Sequence, residues 1–143
     1  SVVTAPRVGE PLRFQFFGEG FKFYDEHQKM RVIGAPLEDQ PDREYGRWLA
    51  AQYNVVVETG RPSLDYVTAR IQPDSGPSRR SRYERLLLPW RTNDDKVVVT
   101  CASVLISTEA SKGPASRDLT TYRASLRDEA PEVRQELGTR HAH

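Results

Sequence analysis

One short stretch of the chain carries residues suited to walling a small-molecule site. Tyr45, Trp48, Gln52 and Tyr53 follow one another at spacings of three, four and one, and Leu49 and Val56 share their stripe. Ligand pockets are largely apolar, with a few polar groups that orient what they hold. A plain aromatic core satisfies the same pattern, provided that the polar tips find partners. Gln52 is the informative member, because an amide on an inward stripe requires hydrogen-bond partners.

Other reactive side chains are more scattered. Cys101 stands among valines in an extended segment, where a thiol is normally inert core and not a redox switch. His27, with Asp25 and Glu26 beside it, lies in a stretch too irregular to nominate an acid–base pair. Three histidines, two of them at positions 141 and 143, and one cysteine do not make a structural zinc site. Arg79, Arg80 and Arg82, with Arg85 nearby, form a basic cluster that reads as a solvated loop, since no aromatic platform for stacking bases accompanies it. Glu84 would have a raised pKa if its strand turned it inward, and the sequence leaves that face open.

These residues belong to a chain of 143, the size of one domain, with 21 Lys and Arg against 20 Asp and Glu. A net charge of +1 gives no long-range attraction to nucleic acid or to an anionic membrane. No apolar run approaches the roughly 20 residues that cross a bilayer. A lone cysteine cannot form an intramolecular disulfide, which suits a reducing, cytoplasmic compartment. The chain opens on Ser1 without a leader pattern, so the expectation is that sequence precedes it.

The elements that must position the candidate wall follow from periodicity. Residues 1–11 read as a loose arm. Leu12 to Phe17 and Phe21 to Tyr24 alternate apolar and polar around Gly18 and Gly20, the pattern of a hairpin. Asp25 to Gln40 reads as irregular. Asp42 then caps a helix running to Glu58, with Gly60 and Pro62 as its stop signal. Ser63 to Ile71 alternates as a strand. Gln72 to Ser81 reads as a mobile loop, and Arg82 to Trp90 and Lys96 to Ser107 as an antiparallel hairpin turned by Thr92–Asp95. Ser116 caps a short final helix with Leu119, Tyr122 and Leu126 on one side. The tail from Arg127 is highly charged. The organisation expected is therefore an arm (1–11), a central domain (12–107), and a linker, short helix and charged tail (108–143), of class α+β.

Within this layout, Val55-Val56-Val57-Glu58-Thr59-Gly60-Arg61-Pro62 followed by Tyr83-Glu84-Arg85-Leu86-Leu87-Leu88-Pro89 resembles a subgroup of bacterial PAS domains. In those domains a Thr-Gly-x-Pro-like turn ends the long helix and a Leu-Leu-Pro sequence ends the fourth strand. The resemblance spans about Leu12 to Ile106. It implies a five-stranded antiparallel sheet in the order 2-1-5-4-3, with helices on one face and a C-terminal flanking helix. It further implies a non-enzymatic sensory and signalling role, with a small ligand between helix and sheet and with dimerisation. It names no cofactor: the Asn-Cys-Arg motif of flavin photosensors is missing, and the long helix has no histidine to ligate haem.

The two longest strands add an expectation of their own. Leu86-Leu87-Leu88 and Val97-Val98-Val99 are apolar on both faces, as in strands covered on both sides. Helices on one face alone would leave an apolar patch on the other, a mark of an interaction surface. The candidate interface residues are Leu86, Leu88, Val97 and Val99, with Leu119 and Tyr122 from the final helix, and the expected partner is a second copy of the chain or an effector protein. Two alternatives stay open. One is a small cone-shaped α+β enzyme of isomerase or dehydratase type, which needs an acid or base inside its pocket. The other is a ligand-free dimerisation module.

Overall fold

Asp42 shows how local chemistry starts the longest helix. Its Oδ1 accepts the Tyr45 backbone N–H at 3.1 Å, and its Oδ2 accepts the Gln72 N–H at 2.8 Å, so one buried carboxylate ties the helix start to the far end of a strand. In this computed structural model, which describes residues 1–5, 9–20, 24–73, 76–110 and, as backbone alone, 120–124, that helix is α2 (Arg43–Thr59). Gly60 closes it at φ +64°, where a side chain would be strained, and donates its N–H to Val56.

Ahead of it in the chain come β1 (Val2–Ala5), β2 (Arg13–Phe16), the short helix α1 (Glu26–Val32) and a 3-10 turn at Leu37–Asp39. After it come β3 (Ser63–Ile71), β4 (Arg79–Arg91), β5 (Val97–Ala110) and β6 (Thr120–Ala124). All pairings are antiparallel, and the sheet runs β2-β1-β5-β4-β3, with β6 added outside β3. The class is α+β, and the five-strand order 2-1-5-4-3 is the one that the sequence led us to expect.

The strands filling that order differ from expectation at both ends of the chain. The opening arm is not loose: Val2–Ala5 is β1, lodged between β2 and β5 with Val3 opposite Val99. Its inward residues Val3 and Ala5 are buried, which is what draws so short a segment into the sheet. The Arg13–Phe16 strand pairs with β1, and it also bonds to residues 34–37, through a bridge of Arg13 to Pro36 and backbone hydrogen bonds of Phe14 with Gly34 and Ala35; of the expected partner strand, residues 21–23 lie outside the described residues. At the other end Thr120–Ala124 is strand β6 and not helix, with Tyr122 opposite Tyr66. Its Thr-Thr-Tyr sequence favours extended backbone, and the otherwise open edge of β3 supplies hydrogen-bond partners for it. Ser116, Leu119 and Leu126 lie outside the described residues. The sheet thus draws in residues on both sides of 12–107.

Residues 25–40 are more ordered than their composition indicated. Asp25 and Gln28 form a reciprocal capping box at the start of α1. The 3-10 turn abuts α2 so closely that a methyl group on Gly46 would stand 2.7 Å from the Leu37 carbonyl oxygen.

The α2 stripe packs on one face of the sheet. Leu49, Ala50, Tyr53, Val56 and Val57 join Val3, Phe14, Leu87, Val97 and Val99 in one buried cluster. The valines, leucines and phenylalanine among them contribute roughly 1.5–3 kcal/mol each when fully buried. Because strand side chains alternate, Leu86, Leu88 and Val98 are turned to the opposite face, where they are half-buried. Val97 and Val99 therefore belong to the core beneath α2 and not to the outer surface on which the sequence placed them.

Candidate functional site

The inward row of β4 reads Ser81, Tyr83, Arg85, Leu87, so an arginine occupies a core position between an aromatic and an aliphatic residue. Directly across the ladder, the inward row of β3 reads Ser63, Asp65, Val67, Ala69, and Asp65 is the register partner of Arg85. Arg85 Nη2 donates to Asp65 Oδ2 at 2.6 Å, with both side chains 1% exposed. Ser63 Oγ donates to the other carboxylate oxygen at 2.7 Å. On the α2 side the guanidinium stands 5.4 Å from the Trp48 ring centroid and 5.7 Å from that of Tyr53, within range of cation–π attraction.

Over this pair lies a cavity of about 420 Å³, bounded by α2, by β3 to β5 and by the segment that leads into α1. That volume is in the range of small-molecule pockets. Tyr45 and Tyr53 of the predicted wall line it. Trp48 does not; it stacks on Tyr45, centroids 5.8 Å apart, and supports Arg85 from the side. Gln52 is half-buried and also outside the lining. The amides that do line the cavity are Gln28 and Gln40; Gln40 is 3% exposed, and its Oε1 accepts the Tyr24 hydroxyl.

The phenols are held neutral. Burial raises the pKa of Tyr53 well above 10, and the Cys101 thiol beside it adds to the effect. Burial does the same to Tyr83, with the phenol of Tyr45 contributing. Tyr45, whose hydroxyl lies 2.8 Å from that of Tyr83, is raised by burial against the opposing effect of that hydrogen bond. At neutral pH these are O–H groups that can donate.

Three buried donor atoms at the cavity have no partner among the described residues: Arg85 Nε, Arg85 Nη1 and Gln40 Nε2. Buried polar groups in native folds are nearly always satisfied, so such atoms point to something that completes them.

The mouth is shaped by a bulge. Tyr83 pairs with Leu105 and Arg82 with Ser107, which leaves Ile106 unmatched and restores the inward phase at Thr108. Leu105, Thr108 and the exposed Arg79 all line the opening as a result.

The remaining sequence candidates are placed plainly. Arg85 is not part of a solvated basic cluster: alternation sends it inward, whereas Arg80 and Arg82 face outward and are exposed. The signal was present in sequence, as an arginine and an aspartate each on the inward row of an alternating strand. Cys101 lines the cavity, its Sγ 3.4 Å from Ser103 Oγ. Glu84 is half-buried on the outer face. His27 is exposed on α1, and among the described residues no group of three potential ligands could hold a metal ion. Leu119 lies outside the described residues, and of Tyr122 only its place in β6 is described.

Comparison with protein-family models, with curated proteins and with solved structures found no match to this chain.

Proposed function

We propose that this chain is a sensory domain of the PAS type, in which a small molecule held between α2 and the sheet biases the arrangement of the segments flanking the domain. The observation that carries the reading is the cavity of about 420 Å³ with unpartnered buried donors on its wall. The strand order 2-1-5-4-3 and the helix crossing one face of the sheet support it, as does the Thr59-Gly60-Arg61-Pro62 turn at the end of α2. The lining chemistry favours binding over catalysis: neutral phenols, hydroxyls, the amides of Gln28 and Gln40, and an arginine locked to Asp65, with the exposed Asp25 and Arg79 and the Cys101 thiol completing it. A ligand would shift the flanking elements by no more than its difference in affinity for their two arrangements. The single cysteine fits a cytoplasmic setting, and no helix among the described residues is long and apolar enough to cross a membrane.

Native mass spectrometry of the purified chain, compared with its denatured mass, tests the reading. A retained small molecule, released on denaturation and competed by fragments that shift Tyr53 ring resonances, is the expected result. Fragments that bind elsewhere and leave Tyr53 unmoved would remove the sensory reading.

A second reading, dimerisation, is favoured by the outer face of the sheet. Tyr66, Trp90, Val104 and Ile106 are exposed there, 43 to 64% of each side chain's residue surface being accessible. A second copy of this chain is the occupant that fits, because a net charge of +1 opposes self-association little. Sedimentation equilibrium should show a dimer that Val104→Glu converts to monomer with its fold intact. A wild-type monomer at all concentrations would end this second reading.

A further inference from the structure

The orphaned polar atoms of the residues that line the cavity are all donors. Arg85 Nε, Arg85 Nη1 and Gln40 Nε2 are buried N–H groups without partners, and the lining contributes no orphaned acceptor among the described residues. Around them stand the neutral phenols of Tyr45, Tyr53 and Tyr83. The Tyr45 and Tyr83 hydroxyls are hydrogen-bonded to each other at 2.8 Å. A ligand suited to this wall must bring acceptors. A carboxylate brings two oxygens with about four lone-pair sites and no donor of its own, whereas a primary amide also brings an NH₂ that would face further donors.

Charge narrows the class further. Asp65 balances Arg85 but occupies only its Nη2, and is itself held by Ser63, so it leaves the other N–H groups free without adding positive charge. Besides Arg85, the cationic lining side chain is the exposed Arg79, and the lining also holds the exposed carboxylate of Asp25. With Asp65 balancing Arg85, the site offers an anion charge-assisted N–H donors and not surplus positive charge, which suits one negative charge better than the two of a phosphate monoester. Phe14, Leu49, Ile71 and Leu105 supply an apolar wall for the rest of the molecule. Resting on the small-molecule reading above, we infer that the ligand is a monocarboxylic acid with an apolar body, its carboxylate accepting the free Arg85 N–H groups. Gln40 Nε2 offers a further donor for a second polar group.

The test titrates the whole chain with three acids, phenylacetate, indole-3-acetate and octanoate, and with their primary amides, by calorimetry and by NMR of the Arg85 Nε–H. The expected result is saturable binding of at least one acid, about tenfold tighter than its amide, as charge-assisted hydrogen bonds are the stronger kind. The Arg85 Nε–H signal should move in the acid complex. Arg85→Lys keeps a cation for Asp65 but loses the fork, so it should weaken the acid about tenfold and leave the amide nearly unchanged. The wild-type Nε–H signal decides the matter even if that variant does not fold. Acids and amides of equal affinity, or acids that leave the Nε–H unmoved, would overturn the carboxylate assignment while leaving the cavity a ligand site. A panel in which neither acids nor amides enter would overturn both.

Discussion

Arg85 and Asp65 face each other across β3 and β4 as direct register partners, 2.6 Å apart and both 1% exposed. A pair so deep has given up the solvation of two ions, and it returns that cost only while both members are present. Removing one strands the other. Asp65→Ala or Arg85→Met alone should therefore destabilise by roughly 3–5 kcal/mol, whereas Asp65→Leu with Arg85→Met together should recover most of the loss. Urea unfolding of the two single variants and the double variant checks this, as a shift of midpoint at constant slope.

The three buried phenols tie stability to alkaline pH. For Tyr45, Tyr53 and Tyr83 the folded pKa lies above the unfolded value of 10, chiefly through burial. A raised folded pKa contributes stability that is present below pH 10 and is lost as pH rises above 10 toward the folded values. In an ultraviolet titration of phenolate, the phenols of Tyr45, Tyr53 and Tyr83 should resist ionisation near pH 10 and then appear together as the fold opens. Gradual ionisation of these three near pH 10, with the fold still closed, would contradict it.

Gly46 allows the 3-10 turn to lie against α2, with the Leu37 and Glu38 carbonyl oxygens 2.7 and 3.0 Å from where a methyl group would stand. Alanine is the better helix former, yet here it meets backbone that cannot swing aside. Gly46→Ala should cost about 1–3 kcal/mol, the opposite sign to its propensity gain. Thermal unfolding of this variant against Gly60→Ala, which has open space but φ +64°, separates crowding from backbone strain.

Asp42 joins two elements with one carboxylate, capping α2 and holding the Gln72 N–H at the end of β3. Asp42→Ala should cost about 2 kcal/mol, the upper end for a lost cap, because a second donor is orphaned with the first. Hydrogen exchange should accelerate at both Tyr45 and Gln72. Faster exchange at Tyr45 alone would show that the tie to β3 carries no energy.

How far the chain could be read in advance depended on the range of the forces involved. The α2 span and its inward stripe were legible because an N-cap, a 3.6-residue period and a Gly–Pro stop are local signals, and Asp42, Tyr45, Tyr53 and Gly60 all serve as those signals imply. The strand segments 63–71, 82–90 and 96–107 were legible from alternation and turn chemistry for the same reason. β4 nonetheless begins at Arg79, inside the segment that reads as a mobile loop, and β5 runs on to Ala110, because the two pair with each other over that length. The capping box at Asp25 and Gln28 is an equally local signal, set in a stretch whose composition reads as irregular.

Tertiary structure alone decided the rest. Val2–Ala5 is a strand because β2 and β5 stand ready on either side of it, and Thr120–Ala124 is one because the edge of β3 offers hydrogen bonds; neither offer is written within those few residues. A period of two tells which strand residues share a face but not which face a helix will cover. Thus Val97 and Val99 went to the core, Leu86 and Leu88 to the other side, and Arg85 inward to Asp65. The site itself, a donor-lined cavity over a buried ion pair, exists only where β3, β4, β5 and α2 meet, since burial and charge pairing act between segments far apart in the chain.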